Sequence, residues 1–148
     1  MISSNEKQTG QFAVRALKEV LKSAPVGKAT VIGLYGDLGA GKTAFTKAVA
    51  KELGIRETVS SPTFVLERIY KLPKKTGHTF THLIHIDAYR FEDSKELLHL
   101  GWEEIISNPH NLIFIEWPEQ VASIMPKKHI KIYFKHKGEN TREIEIML

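Results

Sequence analysis

Thr30-Val-Ile-Gly-Leu-Tyr35, running directly into Gly36-Asp-Leu-Gly-Ala-Gly-Lys42-Thr43, is the stretch whose reading decides the fold. Its first six residues form a short, apolar, β-branched run, the pattern of a strand buried on both faces. The next eight place a glycine, four residues and then Gly-Lys-Thr, the spacing of a phosphate-binding loop. Glycines there permit positive φ and remove side chains, so successive backbone N–H groups can turn inward on a polyphosphate. A helix is expected from about Lys42 to Leu53, because Ala44, Phe45, Ala48, Val49 and Leu53 supply its apolar positions. Gly54 then stands where a helix end favours a left-handed residue. Such a helix aims the positive end of its dipole at the same anion. A Gly-rich turn with a helix-capping Lys-Thr is the bland alternative, and the strand–loop–helix context argues against it.

Working outward, Phe12, Ala16, Leu17, Val20, Leu21 and Ala24 recur at three- and four-residue steps, which predicts an amphipathic helix over residues 3–24. Ser3 and Glu6 have capping-box spacing, and Pro25 with Gly27 closes the segment. Downstream, Phe64–Tyr70 and Thr79–Asp87 read as two strands of a hairpin, with Phe80, His82, Ile84 and Ile86 on one face of the second. Ser94 is expected to cap a helix through about Ile106, interrupted at Gly101. Leu112–Ile115 is a further buried strand, ending at Glu116-Trp117-Pro118. Ile130, Ile132 and Phe134, then Ile144, Ile146 and Leu148, alternate with polar residues around a Lys137-Gly138-Glu139-Asn140 turn, a C-terminal β-hairpin. No repeat or linker interrupts this order. The expected architecture is α/β, a single-domain, P-loop NTPase-like three-layer sandwich over residues 1–148 with a mixed sheet.

Composition narrows the function classes. A chain of 148 residues can bury roughly 68–70% of its unfolded surface, enough for a core without staples. It has no cysteine, which excludes disulfides, thiolate nucleophiles, iron–sulfur clusters and any zinc site needing sulfur. Met1 to Gln8 has no basic patch followed by an apolar stretch, and no apolar run approaches the ~20 residues of a membrane helix. A cytoplasmic protein without a membrane association is expected. The 21 basic against 17 acidic residues permit an anionic partner without requiring one.

The chemistry follows from the loop. Asp37, Leu38, Gly39, Ala40, Gly41, Lys42 and Thr43 are the candidate contacts for ATP or ADP. Lys42 reaches β- and γ-phosphates as a mobile point charge, and the Thr43 hydroxyl is a ligand for Mg²⁺. Hydrolysis also needs an acid at the C-terminal end of a neighbouring buried strand. Glu116 fits that role, although a Glu stands where the commonest arrangement has Asp. Asp87 also ends a strand and is the second candidate to orient water. Lys42, Asp87 and Glu116 are therefore the candidate catalytic residues, with Thr43 and Glu116 as metal ligands.

Gly36–Thr43, Ser61-Pro-Thr-Phe64, His85-Ile-Asp-Ala-Tyr-Arg90 and Ile115-Glu-Trp-Pro118 occur together in this order. In that combination the chain resembles the TsaE family over nearly its whole length. The resemblance implies a P-loop ATPase of tRNA threonylcarbamoyladenosine synthesis that works with TsaD-like and TsaB-like partners. Those partners would transfer the threonylcarbamoyl group to the adenosine beside the anticodon and would make most of the contact with tRNA. It further implies that Ser61–Phe64 form a switch-like loop near the γ-phosphate, with Thr63 among the nucleotide contacts. Thr9 falls where the family's first segment approaches the adenine. Ala88 departs from the family's usual Leu, at a position that packs rather than reacts. Arg90 either stabilises charge or pairs with a structural acid.

Other constellations are weaker. His78, His82 and His85 look like metal ligands on paper, but strand alternation puts His82 and His85 on opposite faces. His129, Lys131, Tyr133, Lys135 and Lys137 share one strand face, which suits nucleic acid and equally suits a solvated edge protected by lysines. A small phosphotransferase acting on a metabolite is the rival activity, although no insertion long enough for its lid is evident. A nucleotide-gated binding module, whose output is loop ordering rather than hydrolysis, is the third.

Overall fold

The structure is a computed structural model that describes residues 1–60, 62, 65–74 and 77–148. In chain order it comprises β1 (Ile2–Ser3), α1 (Glu6–Ser23), β2 (Thr30–Tyr35), α2 (Lys42–Glu52), β3 (Glu67–Lys71), β4 (His82–Asp87), α3 (Lys95–His99), α4 (Trp102–Ser107) and β5 (Asn111–Glu116). A 3-10 turn (Pro118–Val121) then leads to β6 (Ile130–His136) and β7 (Arg142–Met147).

The described strands form a mixed sheet in the order β1-β7-β6-β2-β5-β4-β3. β2 runs parallel to β5 and β6, and β4 runs parallel to β5. The antiparallel strands β3, β7 and β1 extend the two sides. The parallel centre is where the uninterrupted apolar runs fall, since helices there cover both faces. β5 illustrates it: Leu112 and Phe114 join the core beneath α1 and α2, while Ile113 and Ile115 join the core beneath α3 and α4. These three layers make the expected α/β sandwich, closed by the β6–β7 hairpin.

Local readings differ from the structure at four places. Helix α1 begins at Glu6, capped by Asn5, whose side chain accepts from the Gln8 N–H at 2.9 Å while Gln8 accepts from Ser4 N–H at 2.7 Å. Ser3 is released from capping because it pairs with Arg142 across β1–β7, an interaction no local spacing reveals. Phe80 packs with the α1/α2 core, whereas Ile84 and Ile86 face the other, because residues 79–81 precede the regular strand and escape its alternation. Ser94 precedes α3 without a side-chain cap and bonds Ser123 instead, at 2.6 Å. The β3 strand starts at Glu67, and the expected strand residue Phe64 lies outside the described residues.

Candidate active site

The phosphate loop joins the end of β2 to α2, and two glycines hold it close to its neighbours. Gly36 has φ 139° and lies against the Phe134 carbonyl, where a Cβ would collide. Gly41, at φ 101°, is the N-cap of α2 and passes beneath the Arg142 side chain. Both are conformations that side-chain-bearing residues rarely adopt.

Strand alternation assembles the acids. Leu83, His85 and Asp87 of β4 share the α2 side of the sheet with Leu112, Phe114 and Glu116 of β5, and Asp87 is the cross-strand partner of Glu116. Asp87 and Glu116 are the last residues of the parallel strands β4 and β5, the carboxyl ends where open α/β sheets bind ligands. Glu116 is 4% exposed, and its Oε1 accepts a hydrogen bond from Thr43 Oγ1 at 2.9 Å. The same oxygen lies 2.8 Å from His85 Nε2. Asp87 is also buried, and its Oδ1 accepts from the Tyr89 N–H at 2.9 Å.

Lys42 is 4% exposed. Its ammonium donates to the carbonyls of Gly36 and Asp37, the latter at 2.9 Å, and lies 4.2 Å from the centre of the Trp117 ring. Burial pushes its pKa below the ordinary lysine value, opposed in order by the charges of Glu116, Glu119, Asp87 and Asp37. Trp117 holds its ring there from a left-handed backbone, φ 58°, immediately before Pro118. A bulky residue in that region costs on the order of 1–3 kcal/mol, strain of the kind that gathers at functional sites. Tyr89 also packs against Trp117, with ring centres 5.0 Å apart and the rings tilted by 46°.

Lys42, Thr43, Asp87, Tyr89, Glu116 and Trp117 line a cavity of about 360 Å³ together with Leu38, Gly39, Ala40, Gly41, Glu6 and Arg142, whereas His85 lies behind Glu116 and does not line it. Asp37 contributes its carbonyl to Lys42 rather than a wall. Thr9 lies at the β1–α1 junction, buried, bonded to Ser3 Oγ at 2.9 Å and to the Asn5 carbonyl, and is not among the lining residues. Arg90 is exposed and likewise does not line the cavity. Ser61, Thr63 and Phe64 lie outside the described residues. Among the described residues no three His, Asp or Glu side chains gather to hold a metal. The remaining donor set, one hydroxyl and one carboxylate beside a phosphate cradle, suits a hard cation that takes its other ligands from phosphate and water.

Glu6, His85, Tyr89, Trp117 and Arg142 were not assigned to the site from sequence. His85 carried a readable signal, since it stands two residues before Asp87 on one strand and so shares its face. Trp117 and Tyr89 lie within quoted motifs, but nothing in their spacing indicates that the rings meet. Arg142 and Glu6 arrive through tertiary pairing, and no local signal marks them.

Fold and site together define an α/β protein of the P-loop NTPase type, with strand, phosphate loop and helix placed beside two strand-end carboxylates. The sequence profile of the family described as "Threonylcarbamoyl adenosine biosynthesis protein TsaE" matches residues 3–144, and the chain belongs to that family. It is 38% identical over 117 residues to the tRNA threonylcarbamoyladenosine biosynthesis protein TsaE of Bacillus subtilis, covering 77% of this chain and 66% of that protein. It is 37% identical over 140 residues to the TsaE of Rickettsia prowazekii, covering 94% and 88%. The crystal structure of Bacillus subtilis YdiB is similar with TM-score 0.67 at 29% identity, covering 97% of this chain and 80% of that one. No helix among the described residues is long and apolar enough to cross a membrane.

Proposed function

We propose that the protein is a Mg²⁺-dependent ATPase whose turnover supports transfer of a threonylcarbamoyl group to the adenosine beside the anticodon of tRNA. It acts on an assembly of TsaD-like and TsaB-like proteins, which make most of the tRNA contact. Residues 1–148 work as one ATPase domain in the cytoplasm. Family membership supports the pathway. The activity rests on one observation above the rest, the 2.9 Å bond between Thr43 in the first turn of α2 and Glu116 at the end of β5.

Thr43 and Glu116 would hold the Mg²⁺, for which an oxygen-only pair beside phosphates is a suitable donor set. When bound, the ion supplies positive charge that neutralises the phosphate oxygens. Lys42 carries a second, mobile charge to the β- and γ-phosphates of ATP, and its buried setting strengthens that attraction. Backbone N–H groups from Asp37 to Thr43 cradle the phosphates of ATP and of product ADP. Thr63 is assigned to the nucleotide and Thr9 to the adenine end. Asp87 and Glu116, cross-strand partners, are the two carboxylates able to orient the attacking water. P-loop proteins lacking a charge-stabilising group hydrolyse slowly until a partner supplies one, so the assembly is expected to stimulate turnover.

The test is phosphate release by the protein alone and with the purified TsaB–TsaD pair, for wild type, Lys42→Ala and Glu116→Ala. Stimulation by the pair, lost in both variants, supports the proposal. Absence of stimulation, or phosphate transferred to a metabolite rather than to water, overturns it.

A further inference from the structure

His85 has a fully buried side chain, yet no chemistry has been assigned to it. Its Nε2 lies 2.8 Å from Glu116 Oε1, while its buried Nδ1 has no hydrogen-bond partner among the described residues. A carboxylate only accepts, so the imidazole donates through Nε2. The ring's polar engagement is therefore directed at Glu116. An apolar side chain would fill the same space without burying an unpaired nitrogen. The register explains how the two meet: Phe114 is the direct cross-strand partner of His85, and Glu116, two residues on, is its diagonal neighbour on the same face.

Thr43 Oγ1 donates to that same Oε1. Both side-chain hydrogen bonds on Glu116 thus converge on one oxygen, and none falls on Oε2 among the described residues. We propose that His85 is a positioning residue: it anchors Oε1 of Glu116 from within the core and so fixes the carboxylate with Oε2 available to a divalent cation. The proposal rests on the reading of Thr43 and Glu116 as the metal-holding pair. Groups that orient a ligating side chain commonly change metal affinity or activity 10–100-fold when removed. His85 touches neither nucleotide nor water in this role and acts through Glu116 alone.

The experiment compares wild type, His85→Phe, His85→Gln and Glu116→Ala. Mn²⁺ affinity of the ADP-bound protein is read by electron paramagnetic resonance, ADP affinity is read in excess chelator, and kcat is read against Mg²⁺ concentration. His85→Phe is expected to weaken Mn²⁺ binding and raise the Mg²⁺ requirement by about 10–100-fold. Its metal-free ADP affinity should stay within about two-fold, because Lys42 and the loop are untouched. His85→Gln, whose terminal amide can donate from a similar distance, should recover most of the loss.

Wild-type Mn²⁺ affinity in His85→Phe overturns the inference, as does a folded His85→Gln no better than His85→Phe. If His85→Phe does not fold, the smaller His85→Leu serves the same comparison. Glu116→Ala separates the two levels of the argument. Should it also bind Mn²⁺ like wild type, the metal site itself is misassigned. Should Glu116→Ala fail while His85→Phe is unaffected, only the role of His85 falls.

Discussion

Two settings on this molecule place cations beside aromatic rings, and they differ in what surrounds the charge. In the phosphate loop, Lys42 is almost fully buried, bonded to two carbonyls and set over Trp117. On the β6–β7 hairpin, Lys131 and Lys135 flank Tyr133 on the outer face, and Lys137 is tied to Glu143 at 3.0 Å. The tyrosines there are occupied with each other: Tyr133 stacks on Tyr35 with ring centres 4.9 Å apart, and the Tyr35 hydroxyl bonds His129 Nε2 at 2.7 Å. Residue types alone suited both places to an anion. Desolvation, backbone N–H groups and neighbouring acids on fixed strands set the first apart as the candidate site, while on the second Lys135 is exposed and Lys131 half-buried.

The largest expected effect tests that distinction directly. Lys42→Ala should lower assembly-stimulated ATP turnover by at least about 100-fold, on the scale of losing one preorganised charge at a developing oxyanion. Glu116→Ala should be comparable. Phosphate-release assays check both, and a Lys42→Ala protein that keeps even a third of wild-type turnover would remove the loop from the chemistry.

Backbone geometry supplies the next contrast. Gly36 needs its positive φ and its lack of a Cβ, since the Phe134 carbonyl occupies that space. Gly138, in the hairpin turn, has Thr141 Cβ at 3.9 Å as its nearest neighbour. Gly36→Ala should therefore cost more than about 2 kcal/mol, and Gly138→Ala should fall within about 0.5 kcal/mol of wild type. Urea unfolding measures both, and equal costs would contradict the close approach of loop and β6.

What was legible in the sequence divides along the same line. β2, the loop, α2 and the end of β5 could be read because each is a local pattern: a β-branched run, a fixed glycine spacing, a 3.6-residue period and an apolar run ending in an acid. β1 could not, because its two residues carry no period and exist only by pairing with β7. Its formation moved the α1 cap from Ser3 to Asn5 and turned Ser3 toward Thr9. Arg142 and Glu6 reach the cavity through the same distant pairing. His85 was readable as a face-mate of Asp87, but its bond to Glu116 depends on the β4–β5 register, which no single strand encodes.

A smaller effect concerns Tyr35, where the two settings adjoin at the end of β2. Burial, followed by the nearby charges of Tyr133 and Glu119, pushes its pKa from the usual 10.0 to about 12. Tyr35→Phe should cost about 1 kcal/mol at neutral pH through the lost bond to His129. The sign with pH follows from linkage. A raised pKa gives stability that is fully present below pH 10 and lost as pH rises toward about 12. Melting curves from pH 9 to 12 should therefore show wild type losing its advantage over Tyr35→Phe across that window. An advantage that widens with pH would reverse the assignment.

The smallest expected effect is the one most able to break the comparison. Lys131 and Lys135 lie on the hairpin face, away from the buried Ile130, Ile132 and Phe134. Replacing both with Gln removes charge without creating a like-charge contact to Glu143, the cross-strand partner of Lys135. ATP affinity and stimulated turnover should stay within about two-fold of wild type, and stability within about 0.5 kcal/mol, as expected for surface positions. The informative measurement is tRNA binding across a salt series. Lysines that neutralise backbone phosphates reduce the slope of log K against log salt by roughly one each when removed. An unchanged slope keeps this face a solvated edge. A slope reduced by about two, with ATP turnover intact, would make the hairpin a second anion-binding surface, and lysines in water would then matter to function as much as the one buried in the loop.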